Sequence, residues 1–369
     1  MNTKENEKSA LIAMSGGVDS SVAAYLMKKQ GYRCMGATMR LYRNCDIGLG
    51  NYHSCCSQKD IDDAADVAFD LDIPYEVIDY TGDFGKYVIE KFIRVYEAGG
   101  TPNPCIDCNR YMKFEKMVDL AMGRGLSFVV TGHYARIVYD EERKRYRLLK
   151  ALDLTKDQSY VLYMLSQEQL SKIRFPLGEL TKKGVREIAE SQGFVNSKKH
   201  DSQDICFVPD GDYVRFIEGR TGKKYSSGDF LDEEGNKIGT HRGCLRYTLG
   251  QRKGLGIAAG KPVYVYKKDM ENNTVSVGEE ALLFHRELVA KDMNWIAFDS
   301  LSGALRCRVK VRYRQKEQPT TVYPLEKGRV RIVFDEKQRA ITPGQAVVLY
   351  EGDEVLGGGT IVSVSESEA

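Results

Sequence analysis

The sequence predicts an α/β fold: a parallel-sheet domain, followed by a small middle domain and a C-terminal β-barrel. In its first third, short apolar runs alternate with amphipathic stretches, which is typical of a parallel sheet with helices on both faces. The strand-like runs are residues 10–14, 34–39, 75–79 and 128–131. The helix-like stretches are residues 59–71, 85–97, 167–173 and 182–192.

Length and a change in composition predict the remaining domains. At 369 residues the chain exceeds one typical hydrophobic core. From residue 208 glycine and basic residues become more frequent, and from residue 285 strand-like segments follow one another. We therefore expect three domains, at residues 1–207, 208–284 and 285–369.

The overall composition is that of a soluble globular protein, with 42% hydrophobic and 29% charged residues. No apolar run reaches the length of a membrane span, so we expect no membrane partner. The polar N-terminus has no secretory pattern, and nine cysteines then indicate a reducing, cytoplasmic location. A net charge of only +2 means that any affinity for nucleic acid must come from local basic patches.

The first strand-like run ends in the most informative stretch, SGGVDSS at residues 15–21, which precedes a helical pattern. Paired glycines allow close approach of a ligand, and a helix N-terminus favours phosphate. We expect the three serine hydroxyls to add donors, and Asp19 to bind Mg²⁺ or to cap the helix. Walker A is excluded, because no lysine precedes the Ser/Thr pair. The stretch resembles the SGGxDS signature of PP-loop ATP pyrophosphatases.

Two further segments follow predicted strands and so belong to the same edge of the sheet as this loop. Met39 ends the second strand, and Thr131-Gly132-His133 ends the fourth. Met39 is suited to cover an adenine ring, although a core position is an equal alternative.

Cysteines are concentrated in two places. Residues 43–58 form a predicted loop that holds Cys45, Cys55, Cys56 and His53, where spacing favours loop thiols over a metal site. The stretch TPNPCIDCN at 101–109 predicts a rigid turn, with a helix starting near Cys108 that favours its thiolate. The pair Cys105 and Cys108 leaves three interpretations open: a redox pair, half a zinc site or cluster ligands.

Three more segments allow both a structural and a functional interpretation. KDQSY at 156–160 fits a helix N-terminus capped by Asp157, and Cys206 fits a small buried hydrophobe. In residues 305–315, five basic side chains alternate with apolar ones, which predicts one strand with a basic face. That face suits a nucleic-acid backbone, and the alternative is pairing with acidic side chains of neighbouring strands.

Taken together, these segments resemble the tRNA-specific 2-thiouridylases of the PP-loop superfamily, almost from end to end. The motifs that carry the resemblance are SGGVDSS (15–21), TPNPCIDCN (101–109), TGHYAR (131–136), KDQSY (156–160), DSQDICF (201–207), YTLGQRKGLG (247–256), VRYRQ (311–315) and TPGQ (342–345). The resemblance implies a PP-loop (adenine nucleotide alpha hydrolase-like) catalytic domain at 1–207 and a tRNA-binding middle domain at 208–284.

The resemblance also implies a reaction and its partners. ATP, with Mg²⁺, adenylates the 2-oxygen of the wobble uridine of tRNA (position 34), and sulfur then replaces that oxygen. Cys206 carries the sulfur as a persulfide, Cys108 is the nucleophile, and the two close a Cys108–Cys206 disulfide during turnover. A sulfur donor protein (a cysteine desulfurase or a sulfur carrier) has to load Cys206.

Further residues take their roles from the same motif matches. The ATP-binding positions are Ala13, Met14, Ser15, Gly16, Gly17, Val18, Asp19, Ser20, Ser21, Met39 and Gly132. The positions that contact tRNA or its target base are Asn103, Pro104, Cys105, His133, Lys156, Asp157, Gln158, Arg312, Tyr313 and Gln345.

One departure from the family pattern leaves the sulfur chemistry open. Many members have aspartate where this chain has Cys105, and the substitution brings a third thiol to Cys108 and Cys206. Three thiols are suited to hold a [4Fe–4S] cluster with one open iron, so persulfide and cluster chemistry both remain. Two other functions are weighed as well: another PP-loop amidotransferase or ligase, and a non-catalytic tRNA- or nucleotide-binding module, against which the two separate cysteines argue.

Overall fold

A computed structural model describes residues 8–43, 58–199, 205–258 and 260–364. The chain divides into two compact units, and both are assembled from separate segments. The first unit consists of Met1–Ile89, Pro104–Gly211 and Gly352–Val355. The second unit consists of Glu90–Asn103, Asp212–Glu351 and Leu356–Ala369. Cys45, His53, Cys55 and Cys56 lie outside the described residues, as does the whole DSQD sequence at 201–204.

The first unit contains the predicted parallel sheet, whose five strands lie in the order β3-β2-β1-β4-β7. The strands are β1 (Ser9–Ala13), β2 (Arg33–Arg40), β3 (Tyr75–Asp79), β4 (Phe128–Val130) and β7 (Ile173–Arg174). All four neighbouring pairs are parallel, and β1 lies in the middle of the sheet. The predicted parallel α/β architecture is confirmed.

The helices of this unit also follow the predicted pattern. They are α1 (Val18–Lys29), α2 (Gln58–Asp70), α3 (Thr81–Phe84), α5 (Pro104–Asp107), α6 (Met117–Gly123), α7 (Gln167–Lys172) and α8 (Lys182–Ser191). Two π-helical segments, Gly85–Ile89 and Cys108–Lys116, extend α3 and α5. Since α1 begins at Val18, Asp19 lies in its first turn rather than in the loop before it.

The helix after the TPN sequence begins earlier than the sequence indicated. It starts at Pro104 rather than near Cys108, so the prediction of a rigid non-helical turn up to that cysteine is wrong. Proline suits the first helical position, because its ring sets φ for a helix and its missing N–H has no intrahelical partner there. Cys105 therefore lies in the first turn and is exposed, whereas Cys108 lies in the second turn and is buried.

Apolar side chains from one face of the sheet and from the helices that cover it form a core of the first unit. Ile12 of β1, Val22 of α1, Val67 of α2, Val130 of β4 and Val185 of α8 are fully buried in one core. Burial of each such side chain contributes about 1.5–3 kcal/mol. The core therefore fixes α1 and α8 against the end of β1, where the glycine loop begins.

A hairpin completes this unit. Its strands β5 (Ala135–Asp140) and β6 (Arg145–Lys150) pair antiparallel. Leu149 pairs with Glu354, and the Nη2 of Arg147 lies 2.8 Å from the carboxylate of Glu354, which is buried. The guanidinium of Arg143 binds the same carboxylate at 3.1 Å, so the buried charge is compensated.

The middle part of the second unit is a four-stranded sheet in the order β10-β11-β8-β9. Its strands are β8 (Gly228–Leu231), β9 (Lys237–His241), β10 (Tyr264–Asp269) and β11 (Thr274–Gly278). Helix α4 (Glu90–Glu97) and helix α9 (Tyr213–Thr221) belong to the same unit, and the rings of Tyr96 and Tyr213 stack at 4.3 Å between centroids. The predicted short strands and turns are confirmed.

The C-terminal part of this unit is the predicted β-barrel, closed by six strands in the order β12-β15-β14-β13-β16-β17. They are β12 (Phe284–Trp295), β13 (Leu305–Lys310), β14 (Gln318–Pro324), β15 (Val330–Arg339), β16 (Ala346–Glu351) and β17 (Glu354–Val364). Pairing of β12 with β17 closes the barrel. Val309, Ile332 and Leu349 are fully buried in its core.

The basic strand differs from its prediction in two respects. The strand ends at Lys310, so Arg312 and Arg314 lie in the following turn and not on its face. The positive charge of the outward residues on the strand is partly compensated by acidic side chains. Arg306 binds the carboxylate of Asp335, with 2.6 Å between Nη1 and Oδ1. Hydrogen bonds from Arg306 hold the pKa of Asp335 below its ordinary value. The alternative of cross-strand acidic partners is therefore the correct interpretation for this residue.

In the part of the chain that the structure describes, no helix is long and apolar enough to cross a membrane.

Candidate active site

The glycine loop connects the end of β1 to the start of α1. Gly16 has φ +70°, and a Cβ there would lie 2.2 Å from the carbonyl oxygen of Asp60, so only glycine fits. The hydroxyl of Ser20 donates to the carbonyl of Gly17 at 2.9 Å and accepts from the N–H of Ser15 at 3.2 Å. These bonds make a tight turn at the N-terminus of α1, where the first N–H groups have no intrahelical partners.

The hydroxyls of Ser20 and Ser21 make hydrogen bonds within the protein, whereas we expected them to donate to a ligand. Ser21, like Ser20, donates its hydroxyl to the carbonyl of Gly17, at 3.1 Å, and accepts from the side-chain amide of Asn196 at 2.9 Å. Both side chains are buried, whereas Ser15 is exposed. In this structure the hydroxyls of Ser20 and Ser21 shape the loop, and their contact with ATP stays a prediction.

Two side chains, those of Lys199 and Asn196, hydrogen-bond to the backbone of the glycine loop. The Nζ of Lys199 donates to the carbonyl of Gly16 at 3.0 Å, and the amide of Asn196 donates to the same carbonyl at 3.1 Å. Lys199 also binds Asp60 and Asp63 of α2, at 2.5 and 2.6 Å. Burial alone would lower the pKa of Lys199, but these carboxylates outweigh it and the pKa lies above its ordinary value. The lysine therefore stays charged and ties α2 to the loop.

Asp19 follows the loop, in the first turn of α1. Its carboxylate accepts hydrogen bonds from the Nζ of Lys182, at 2.7 and 2.8 Å, and from the hydroxyl of Tyr134, at 2.8 Å. The side chain of Asp19 is 32% exposed and that of Lys182 is 11% exposed. Sequence reasoning missed Lys182, which is 163 positions away from Asp19 and carries no motif of its own.

The other predicted ATP-binding positions surround the same edge of the sheet. Gly132 follows β4, and a Cβ there would lie 2.7 Å from the backbone of Asp19, so this glycine permits the close approach of the two segments. Met39, near the end of β2, is half-buried and not part of the core. The loop, Met39 and Gly132 therefore lie at the carboxyl ends of three adjacent strands, as predicted.

The segment that contains Cys206 and the segment that begins at Cys108 both contact helix α3. The phenol of Tyr42 donates to the carbonyl of Cys206 at 2.8 Å, and the ring of Phe207 lies 5.6 Å from that of Phe84 in α3. Helix α3 in turn contacts the π-helical segment that begins at Cys108. Cys206 is half-buried, so the interpretation of this residue as a small buried hydrophobe is wrong.

The side chains of the described residues do not fit a cluster of three thiolates. Among residues 8–43, 58–199, 205–258 and 260–364, no three His, Cys, Asp or Glu side chains are arranged to hold a metal ion. Cys105 is exposed on the first turn of its helix, whereas Cys108 is buried on the second. The [4Fe–4S] hypothesis thus finds no support in this arrangement.

Two of the predicted tRNA positions of the first unit, Asp157 and Gln158, accept hydrogen bonds from the protein's own backbone. The amide oxygen of Gln158 accepts from the backbone N–H of Tyr134 at 2.9 Å. The carboxylate of Asp157 accepts from the backbone N–H groups of Ala151 and Ser159, at 3.1 and 3.2 Å. Asp157 thus accepts from the first N–H of the short 3₁₀ helix Ser159–Val161, but the N-cap residue of that helix is Gln158 and has no side-chain cap, so the interpretation of Asp157 as the cap is wrong.

His133 is buried rather than presented at the surface. Its Nδ1 lies 2.7 Å from the hydroxyl of Thr131, and its ring packs against those of Phe114 and Phe175. Burial, with a smaller effect of the charge of Lys113, lowers its pKa well below the ordinary value. The imidazole is therefore neutral at physiological pH, and its contact with tRNA stays a prediction.

In the second unit, two of the sequence motifs meet. The side-chain amide of Gln345 donates to the carbonyls of Thr101 and Pro102, at 2.8 and 3.3 Å, and the N–H of Thr101 donates to the carbonyl of Pro343 at 3.0 Å. The turn TPGQ thereby holds the backbone that leads to Asn103. Gln345 is thus a structural support of the TPN stretch.

The turn after β13 presents the other predicted tRNA positions of this unit. The guanidinium of Arg312 donates to the carbonyl of Ala340 at 2.7 Å and to the hydroxyl of Thr342 at 3.1 Å, so Arg312 is fixed. Tyr313 is 40% exposed, and Arg314 beside it is exposed. An aromatic ring next to a cation on a rigid turn is a surface that suits nucleic acid.

Fold and site together define an α/β nucleotide-binding protein with a phosphate loop between its first strand and first helix. Family models match three consecutive parts of the chain: a "tRNA methyl transferase HUP domain" at residues 8–210, a "PRC-barrel domain" of the same family at 214–279 and an "Aminomethyltransferase beta-barrel domain" at 285–361. The chain belongs to the tRNA-specific 2-thiouridylase family.

Relatives of that name match almost the whole chain. The tRNA-specific 2-thiouridylase MnmA of Acetivibrio thermocellus is 50% identical over 96% of this chain and 99% of its own length. The enzyme of the same name from Moorella thermoacetica is 49% identical over 96% of this chain and 100% of its own. Among solved structures, a 4-thiouridine synthetase–RNA complex with bound ATP is 16% identical with a TM-score of 0.33, covering 58% of this chain and 50% of that one. That likeness is too distant to bear on function.

Proposed function

We propose that this protein uses ATP to replace the 2-oxygen of the wobble uridine of tRNA (position 34) with sulfur. Full-length relatives named as tRNA-specific 2-thiouridylases support the substrate and the reaction. The structural observation that supports this chemistry concerns the first unit. There the Asp19 loop and two cysteine segments, packed on one turn of α3, belong to the same compact body.

The first half-reaction activates the base. The uridine 2-oxygen attacks the α-phosphorus of ATP, the bond to the bridging oxygen breaks, and its electron pair leaves with pyrophosphate. The base then carries AMP on its 2-oxygen, which makes that oxygen a good leaving group. Asp19 fits a Mg²⁺ ligand here, because its carboxylate is partly exposed at the N-terminus of α1. The glycine loop offers backbone N–H groups to the phosphates.

The second half-reaction transfers sulfur. The terminal sulfur of a persulfide on Cys206 attacks C2, and AMP departs with the original oxygen. The thiolate of Cys108 then attacks the Sγ of Cys206, which breaks the sulfur–sulfur bond and leaves sulfur on C2. This exchange forms a Cys108–Cys206 disulfide, which a thiol reductant resets. Two thiols are needed, because the first one cannot release its own terminal sulfur.

Two partners follow from this scheme. A sulfur donor protein has to load Cys206, whose half-buried position leaves part of the residue accessible. The wobble uridine has to leave the anticodon stack to reach the thiols, as enzymes that modify bases require. Asn103, Pro104 and Cys105 are the positions that we propose to contact it.

The test is reconstitution with purified components. Protein, unmodified tRNA, Mg-ATP and a persulfide donor are incubated, and the tRNA nucleosides are analysed by mass spectrometry. We expect 2-thiouridine at the wobble position, formed together with AMP and pyrophosphate. Unmodified tRNA in the presence of ATP turnover would instead favour an amidotransferase or ligase, and tRNA binding without turnover would favour a binding module.

We expect Arg314→Ala to weaken tRNA binding and to lower the salt dependence by about one counterion, because Arg314 is exposed beside Tyr313 and suits a phosphate contact. Arg306→Ala is the matched control, since Arg306 on the preceding strand is already paired with Asp335. A filter-binding titration at several salt concentrations measures both. Equal slopes for Arg314→Ala and wild type would remove this turn from the RNA interface.

A further inference from the structure

We infer that Lys182 is a catalytic residue that binds the phosphate chain of ATP and stabilises the leaving pyrophosphate. The inference rests on the proposed use of ATP and names a residue that none of the sequence motifs contains. It starts from the contact of the Lys182 Nζ with both carboxylate oxygens of Asp19, at 2.7 and 2.8 Å.

The position of the Nζ is the first argument. Asp19 is in the first turn of α1, where unpartnered N–H groups and the helix dipole favour phosphate. A cation within hydrogen-bond distance of that turn adds its charge at the same place. Lys182 comes from α8, which packs against α1, so the charge reaches the loop from a separate element of the fold.

The rigidity of Lys182 is the second argument. Its backbone N–H donates to the carboxylate of Asp153 at 3.0 Å, and the hydroxyl of Thr181 caps α8 by accepting from the N–H of Gly184. The Nζ lies 5.7 Å from the centre of the Tyr134 ring, whose hydroxyl also binds Asp19. The side chain is thus preorganised, and a preorganised charge costs little reorganisation when negative charge develops.

The contrast with Lys199 is the third argument. Lys199 lies behind the loop, where Asp60 and Asp63 compensate its charge and the carbonyl of Gly16 accepts from it. Lys182 instead contacts Asp19, the carboxylate that is suited to Mg²⁺. A partly buried ion pair contributes little to net stability, so its presence at a reactive loop favours a functional role.

The role in the reaction follows directly. When the bond between the α-phosphorus and the bridging oxygen breaks, negative charge develops on pyrophosphate. Lys182 donates hydrogen bonds to that charge and no proton has to be transferred, and Asp19 would be the residue that holds Mg²⁺ when the ion is bound.

The experiment compares Lys182→Met with Lys183→Met, a neighbour on the same helix whose side chain is 87% exposed. Calorimetric titrations with Mg²⁺ and a non-hydrolysable ATP analogue, and with AMP, are combined with thermal melting of the unliganded proteins. We expect Lys182→Met to bind the ATP analogue about tenfold to hundredfold more weakly, which is the loss of one charged hydrogen-bond donor. Its AMP affinity and the binding by Lys183→Met should match wild type.

A purely structural ion pair would give the opposite pattern. Lys182→Met would then melt at a lower temperature and lose affinity for AMP and for the ATP analogue to the same extent, which would overturn the inference. Lys182→Arg keeps the charge and should regain most of the affinity for the analogue; failure to do so in a folded protein would also contradict it. Because the titrations use no tRNA, they remain decisive even if thiolation is not the reaction.

Discussion

Replacing Cys108 by serine is expected to stop the reaction at a covalent intermediate rather than before it. The persulfide of Cys206 still attacks C2 of the activated base, but no thiolate remains to break the sulfur–sulfur bond. The tRNA therefore stays attached to Cys206 through two sulfur atoms, and added dithiothreitol releases it as thiolated tRNA. Non-reducing electrophoresis of a single-turnover reaction measures the adduct.

Cys206→Ser should behave differently, because it cannot carry the sulfur at all. We expect pyrophosphate release without thiolation and without any adduct. Cys34→Ala is the control: Cys34 is in the same unit, but burial raises the pKa of its thiol to about 11, which makes it a poor nucleophile. A Cys108→Ser protein that turns over normally would remove Cys108 from the mechanism.

The same preparations decide between persulfide and cluster chemistry. If the proposed persulfide scheme is right, anaerobically purified protein should thiolate tRNA without stoichiometric bound iron. Cys105→Asp, which introduces the residue that many relatives of the family have, should then keep its activity. Loss of bound iron and of activity together in this variant would instead establish the cluster.

Asp19→Asn is the second change with a large expected effect. The amide keeps the shape of the carboxylate but loses the charge that suits Mg²⁺ and that orients Lys182, bound at 2.7 Å. We expect tRNA-dependent pyrophosphate release to fall at least about a hundredfold, comparable to the loss of a preorganised electrostatic group in other enzymes.

Asp70→Asn on the exposed surface of α2 serves as the control for Asp19→Asn and should release pyrophosphate like wild type. Thermal melting of both variants checks that the fold is intact. Pyrophosphate release at the wild-type rate by a folded Asp19→Asn protein would contradict the assignment of the loop.

Local sequence patterns predicted much of the fold. Alternating apolar runs and helical stretches located the parallel sheet, since strands buried on both faces are continuously apolar. The SGGVDSS stretch located the phosphate loop, because the left-handed conformation of Gly16 and its approach to Asp60 leave no room for a side chain. The apolar runs and the left-handed glycine are local features, so a sequence pattern can report them, whereas the approach of Asp60 to Gly16 is a long-range contact.

Long-range contacts could not be predicted in the same way. Lys182 and Lys199 reach the loop from 163 and 183 positions away, and only packing of α8 and its following segment brings them there. The basic alternation of residues 305–315 indicated one long strand, but the chain turns after Lys310, and Asp335 compensates Arg306 from another strand. Such partners are far apart in the sequence and come together only in the folded structure.

The measurement that tests the central claim most directly follows the uridine oxygen. An anticodon stem-loop whose wobble uridine carries heavy oxygen at its 2-position is thiolated with ATP and persulfide-loaded protein. Mass spectrometry then locates the label. Adenylation of the 2-oxygen requires the heavy oxygen to appear in the phosphate of AMP, in a one-to-one ratio with 2-thiouridine. Thiolated product together with unlabelled AMP would contradict the account.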